Sequence, residues 1–271
     1  MKKINIAIVG HGYVGKAVDH GFSTTNVVKH LIDPLYNTDI SDLPRDIDAA
    51  FVCVPTPFGA DGQIDASIVQ DVVNQLSAFN CPIIIKSTVV PGIVHALQMD
   101  NHKVVYNPEF LTEANALADF VNPPMHIFGG HKRITKMVER LYEKYSQCNP
   151  APVMHMTARE AAFVKYGINS FLATKVLWFN QYKDVIDEAG ANFNVITNAM
   201  KMDPRIGTSH MQVPGPEGKR GYGGACFPKD TNALANHVDF PLLDKVIELN
   251  NQYRSQYELD DREKEQKVVY I

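Results

Sequence analysis

Gly10-His11-Gly12-Tyr13-Val14-Gly15 sits between a largely apolar run, Ile4–Val9, and a helical pattern. Strand, glycine-rich turn and helix in that order leave few folds open. The first glycine allows a tight turn, the second lets backbone approach a pyrophosphate, and the third permits close helix–strand packing. The N-terminus of the helix, from Tyr13 and Val14 onward, then faces the phosphates. Asp33 ends a second strand candidate, Val27–Ile32, 18 residues after Gly15. A carboxylate there binds ribose hydroxyls and repels a 2′-phosphate, which favours NAD over NADP. A lone motif of this kind is also compatible with a ligand-free turn; the surrounding unit argues for the dinucleotide.

Further short apolar runs, Ala50–Val54, Ile83–Lys86, Val104–Tyr106 and Met125–Phe128, are separated by helix-length segments. Runs apolar on both faces predict a parallel sheet with helices on both sides, an α/β Rossmann-type domain. A helix over Lys132–Ser146 and a strand over Pro152–Met156 close this domain, 1–156. Thr157-Ala158-Arg159-Glu160 reads as a capping box that starts a helix running to Ala189, with Gly190 placed to end it. The remainder, 157–271, reads as a small all-α domain: helices about Asn192–Lys201, Lys229–Asn236 and Phe240–Leu259, and a glycine- and proline-rich loop, Val213–Gly221. The charged stretch Asp260–Lys267 reads as a solvated helix end or a mobile tail.

The 271 residues carry a net charge of −4, which exerts no bulk pull toward nucleic acid or an anionic membrane. No run approaches 18 apolar residues, so no membrane span is expected. Met1-Lys2-Lys3 runs straight into the first strand rather than a secretion signal. The four cysteines, Cys53, Cys81, Cys148 and Cys226, are widely spaced and form no metal-like pairs, which suits a reduced, cytoplasmic setting.

Chemistry concentrates late in the chain. In Gly223-Gly224-Ala225-Cys226-Phe227-Pro228-Lys229-Asp230 a cysteine follows a flexible pair and precedes a lysine and an aspartate. A thiolate becomes a strong nucleophile where a cation or helix N-terminus stabilises it. Cys53 and Cys81, in or beside apolar strands, read instead as small hydrophobes. Val54-Pro55-Thr56-Pro57 and Lys86-Ser87-Thr88-Val89 follow strands, where an open α/β sheet has its ligand crevice; turn and cap chemistry explains their hydroxyls equally well. Glu109 and Glu113 would share a face if Asn107–Ala114 were helical, as general bases or as solvated glutamates. Lys165 and Asn169, four apart on the long helix, are either ordinary side chains or stabilisers of a developing oxyanion.

Taken together these blocks, with Asp203-Pro204-Arg205-Ile206-Gly207, resemble the UDP-glucose/GDP-mannose dehydrogenase family over nearly the whole chain. The resemblance implies an NAD-dependent, four-electron oxidation of a nucleotide-sugar C6 alcohol to a uronic acid, with UDP-glucose the first substrate by family frequency. It implies a reaction centre of Cys226, Glu109, Lys165, Asn169, Thr88 and Asp230, with the alcohol-step base left open between Thr88, Lys165 and Asp230. Val54, Pro55, Thr56, Ser87, Thr88, Glu113 and Lys229 are implied along the cofactor, and Phe110, Leu111, Tyr222 and Gly223 along the substrate. Arg205 is implied to reach the neighbouring active site of a homodimer. The chain departs from the family pattern in lacking a third, nucleotide-binding domain after the helices. The loop before Cys226 is also unusual, and its Lys219 and Arg220 are candidate phosphate ligands. Thr38, finally, stands where the family often has an arginine. Two other readings stay open: a two-electron hydroxy-acid dehydrogenase, which needs no thiol, and a non-catalytic NAD-binding subunit.

Overall fold

The computed structural model describes residues 2–59 and 62–270, with Glu113 described by its backbone alone. The chain divides into two compact units, one of residues up to Thr56 plus Asp65–Lys165, the other of Pro57–Ile64 plus Tyr166 onward. The boundary thus falls inside the long helix rather than at its start.

Among the described residues the first unit holds a seven-stranded sheet. Its strands are β1 (Ile4–Val9), β2 (Val27–Ile32), β3 (Ala49–Val52), β4 (Ile83–Ile85), β5 (Val104–Tyr106), β6 (His126–Gly130) and β7 (Val153–Met156), ordered β2-β1-β3-β4-β5-β6-β7. Its helices are α1 (Tyr13–Gly21), α2 (Ser67–Leu76), α3 (Pro91–Asp100), α4 (Ala116–Val121) and α5 (Lys132–Tyr145). Period-two alternation divides the side chains of β1 between two cores. Ala7 and Val9 join Val69, Val73 and Leu76 of α2 and Val94 of α3 on one face. Ile6 and Ile8 join Val18 of α1, Phe120 of α4 and Val138 of α5 on the other. Helices on both faces are what strands apolar on both sides require.

One pairing departs from the all-parallel expectation: β6 runs antiparallel to β5, while β6 and β7 are parallel. The link between β5 and β6 holds only a 3-10 turn at Glu113–Asn115 and the short α4, whose Phe120 joins the core of α1. The same link corrects the conditional helix at Asn107–Ala114. No regular structure precedes the 3-10 turn that starts at Glu113, so Glu109 and Glu113 do not stand one helical turn apart.

Helix α6 spans Ala158–Glu188, 31 residues, beginning in the first unit and continuing into the second. Its capping box is formed: Glu160 Oε2 accepts from the Thr157 amide at 2.7 Å, and the Glu160 amide donates to Thr157 Oγ1 at 3.2 Å. Gly190, at φ +67°, ends it in the left-handed region.

The second unit adds α7 (Phe193–Met200), α8 (Phe227–Ala235), α9 (Pro241–Arg254) and α10 (Asp261–Glu265). Phe179 and Ile186 of α6 pack with Phe193 and Val213, and Ala173 and Leu177 pack with Tyr222 and Val246. The charged C-terminal stretch is neither a continuation of α9 nor a tail. Asp260 caps α10 in a capping box with Glu263, and Glu263 is fully buried because Arg254 stands beside it.

Candidate functional site

In the first unit the glycine turn has the shape a dinucleotide needs. Gly10 sits at φ +87°, and a Cβ there would lie 2.6 Å from the Cys53 carbonyl oxygen. A Cβ on Gly15 would lie 2.0 Å from the carbonyl oxygen of Gly10, so helix and turn are in contact. A Cβ on Gly12 would meet nothing within 4 Å. Gly12 is also the N-cap of α1 and, being glycine, offers no side-chain cap of its own. A glycine with open space at the N-terminus of a helix lets a phosphate approach the helical amides. Asp33 holds the end of β2: Oδ2 accepts from the His11 amide at 2.7 Å and Oδ1 from the Leu35 amide at 2.9 Å. Thr38 Oγ1 accepts from the Asp33 amide at 3.0 Å. These residues fit an NAD molecule, whose nicotinamide accepts hydride when bound.

At the strand ends, Thr56 and Ser87 are buried, Pro55 is exposed and Thr88 is half-buried. The Ser87 hydroxyl donates to the Val54 carbonyl at 2.7 Å, which ties the loop after β3 to the loop after β4. The side chain of Glu113 lies outside the described residues.

Glu109 and Lys165 form a buried ion pair at 3.1 Å, each side chain 5% exposed. Lys165 Nζ also donates to the Glu109 carbonyl at 2.9 Å and stands 5.7 Å from the centre of the Phe110 ring. The second Glu109 oxygen, Oε2, accepts from the Leu111 amide at 2.6 Å. The loop folds back on its own carboxylate, so Glu109, Phe110 and Leu111 are brought together around one ammonium group.

Lys86 is a functional candidate that residue patterns do not single out. It is buried at 4% exposure, and its ammonium donates to Asn107 Oδ1 at 3.0 Å. Among the described residues no carboxylate lies within ion-pair reach. Beside it, burial first and the Lys86 charge second push the His126 imidazole down to about 4, leaving it neutral. A cavity of about 30 Å³, room for one water, adjoins Lys86, Asn107, Glu109 and His126. Burial pulls the Lys86 pKa from 10.5 to about 8. That difference corresponds to roughly 3 kcal/mol opposing the buried cation at neutral pH. Lys86→Met keeps the volume and leaves Asn107 Oδ1 accepting from the Tyr142 hydroxyl at 2.7 Å. The variant is therefore expected to gain about 1–3 kcal/mol in urea unfolding at pH 7. Below pH 8 both folded and unfolded wild type carry the proton. Between about 8 and 10.5 only the unfolded chain does, so wild-type stability rises there. The advantage of the variant should shrink to near zero by pH 10; a gain that stays constant with pH would contradict the buried cation.

In the second unit α8 starts two residues before the sequence expectation, at Phe227, and Cys226 becomes its N-cap. The positive end of a helix is where a thiolate is favoured. The other cysteines are poor nucleophiles: burial pushes Cys53 up to about 12 and Cys81 up to about 11, and raises Cys148. Lys229 and Asp230, which follow Cys226, are both buried and paired with each other at 2.7 Å. The lysine thus places its charge on Asp230. The second Asp230 oxygen accepts from Asn169 Nδ2 at 2.6 Å, so both carboxylate oxygens are held.

Several substrate candidates are engaged within the second unit. Tyr222 is buried in the core of Leu177 and Val246, its hydroxyl 3.5 Å from Thr231 Oγ1. The Arg220 guanidinium donates to Asp184 at 2.6 Å and to the Asn180 carbonyl, and lies over the Tyr253 ring. Lys219 Nζ donates to the Glu258 carbonyl and lies over the Tyr257 ring. These two cations hold the loop before Cys226 in place, a role their sequence neighbourhood does not reveal. Arg205 extends into solvent, paired with Asp203.

The chain is similar to known proteins. Residues 25–146 match the UDP-glucose/GDP-mannose dehydrogenase family, NAD binding domain, and residues 159–252 match its central domain. A UDP-glucose 6-dehydrogenase of Rickettsia prowazekii is 31% identical over 91% of this chain and 67% of its own length. One of Rickettsia bellii is 29% identical over 92% of this chain and 67% of its own. The solved UDP-glucose dehydrogenase of Pyrobaculum islandicum superposes with a TM-score of 0.78 at 25% identity, covering 92% of this chain and 68% of that one. The chain spans about two thirds of the length of these relatives. NAD is the cofactor of the first unit, and no helix of the described residues is long and apolar enough to cross a membrane. Glycine turn, buried Lys165 and cysteine-capped α8 lie in chain order within or beside two consecutive matched domains, and the chain belongs to the UDP-glucose/GDP-mannose dehydrogenase family.

Proposed function

We propose that this chain oxidises the C6 alcohol of a nucleotide sugar to the acid, taking four electrons in two NAD-dependent steps, with UDP-glucose the first substrate to try. The observation that carries the proposal is Cys226 at the head of α8, beside an Asp230 that Asn169 and Lys229 hold by both oxygens. A two-electron alcohol dehydrogenase has no use for a thiol so placed.

Bound NAD supplies the hydride acceptor for each oxidation. In the first, the alcohol proton leaves toward Thr88 or, through water, Asp230. Lys165 and Asn169 donate to the oxygen as negative charge gathers on it. The Cys226 thiolate then adds to the aldehyde carbon, forming a carbon–sulfur bond and a thiohemiacetal. Loss of the second hydride from that carbon leaves a thioester on Cys226. Glu109 takes a proton from a water that attacks the thioester carbonyl; the carbon–sulfur bond breaks, the acid departs and the thiolate is restored. Two hydrides leave and one water enters, which balances alcohol to acid. The covalent link keeps the aldehyde from escaping between steps. We further assign the catalyst to a homodimer, with the exposed Arg205 reaching the substrate of the neighbouring subunit.

The test is the number of NADH formed per UDP-glucose consumed. Two per sugar is expected. One per sugar, with an aldehyde or ketone as product, would move the protein to the two-electron class.

A further inference from the structure

The segment that delivers Cys226, Gly221-Tyr222-Gly223-Gly224, is held from behind by α9 and α10. Asn250 on α9 reads the Tyr222 backbone in both directions: its Oδ1 accepts from the Tyr222 amide at 2.7 Å and its Nδ2 donates to the Tyr222 carbonyl at 3.0 Å. One turn on, Arg254 is buried at 1% exposure and donates to Glu263 Oε1 of α10 at 2.5 Å. The same Glu263 oxygen accepts from the Gly224 amide at 3.2 Å and from the Tyr270 hydroxyl at 2.8 Å. The other Arg254 nitrogen, Nη1, donates to Glu217 Oε1 at 3.0 Å, which fastens the loop that leads into this segment. Contact is close enough that a Cβ on Gly223 would lie 2.2 Å from Arg254 Nη2 and 2.4 Å from Glu263 Oε1.

Two glycines in a row give a chain its greatest freedom. A buried ion pair is a costly way to fill space, since an apolar pair of the same volume is often as stable or more so. What the ion pair adds is direction, through charged hydrogen bonds that accept one geometry. The family's central domain match ends at residue 252, so Arg254, Glu263 and Tyr270 lie beyond it.

We propose that Arg254 and Glu263 are positioning residues for Cys226: their buried pair fixes Gly223 and Gly224 and so sets where the thiol at the head of α8 stands. The assignment rests on Cys226 being the nucleophile. Glu263→Gln keeps the shape and removes the charge. Its alkylation of Cys226 by iodoacetamide, followed by peptide mass spectrometry without substrate or NAD, is expected to differ from wild type by about threefold or more. Its kcat with UDP-glucose should fall about 10- to 100-fold, with KM within about threefold, because misplaced reacting groups cost turnover rather than binding. Tyr270→Phe should move both readouts the same way by less. A folded Glu263→Gln protein, by circular dichroism, with unchanged alkylation and kcat would overturn the proposal. If Glu263→Gln fails to fold, Tyr270→Phe decides, and an unchanged alkylation rate there overturns it. If wild type forms no NADH from UDP-glucose, the functional reading fails separately and the alkylation rates still judge the clamp.

Discussion

Cys226→Ala is expected to abolish formation of the acid, by about three orders of magnitude or more, while NAD affinity stays within about twofold of wild type. The expectation follows from where the four thiols lie. Cys53, Cys81 and Cys148 all have their ionisation opposed by burial. Of the four, Cys226 is the one that caps a helix. A thiol elsewhere cannot substitute, and neither can water at the aldehyde stage if the second oxidation needs a carbon bonded to sulfur. Any residual turnover should stop after one NADH and release an aldehyde that hydroxylamine captures. Two NADH per sugar at the wild-type rate from the alanine variant would remove the thiol from the mechanism. Binding of NAD is measured independently by titration, and its loss would point instead to a damaged fold.

Lys165→Met is expected to destabilise the protein by about 3–5 kcal/mol in urea unfolding, since it strands the buried Glu109 carboxylate without its cation. The Leu111 amide still donates to Glu109 Oε2. One amide does not replace an ammonium that reaches both the side chain and the backbone carbonyl of the same residue. Adding Glu109→Gln should return more than half of the loss, because the uncompensated charge goes with it. A single variant as stable as wild type would mean that Glu109 finds water or a second donor once Lys165 is gone. Both variants should be inactive if these two groups stabilise the oxyanion and activate the hydrolytic water. Stability and turnover therefore part company in the double variant, which is folded and dead.

Local pattern is enough for much of this molecule. Apolar residues on both faces of Ile4–Val9 foretell helices on both sides of the sheet, and Thr157 with Glu160 foretells where α6 begins. The misreadings share a physical cause: partners distant in sequence. Lys86 follows the apolar Ile83-Ile84-Ile85 and looks like the polar end of a strand. It is buried by Asn107, Phe120 and Tyr142, which are 21 or more residues away. Glu263 sits in a run of charges that suggests solvent, but Arg254 stands nine residues earlier, in a helix whose end the periodicity places too late. β6 looks parallel because a short apolar run carries no sign of its direction. Lone charges beside apolar runs are the one usable signal, since a cation or anion placed there must be solvated or paired.

Residues Pro57–Ile64 belong to the second unit although the chain on either side of them belongs to the first. Together with the passage through α6, the polypeptide crosses between units three times, after Thr56, after Ile64 and after Lys165. The two matched domains are therefore not two beads on one string. A fragment ending in α6 would carry a segment whose companions are missing, and one starting there would lack Phe58 and Ile64, which bridge each other. Swapping the first unit for that of a relative means grafting at three junctions rather than one. Exchange of one domain without the other by recombination meets the same three junctions.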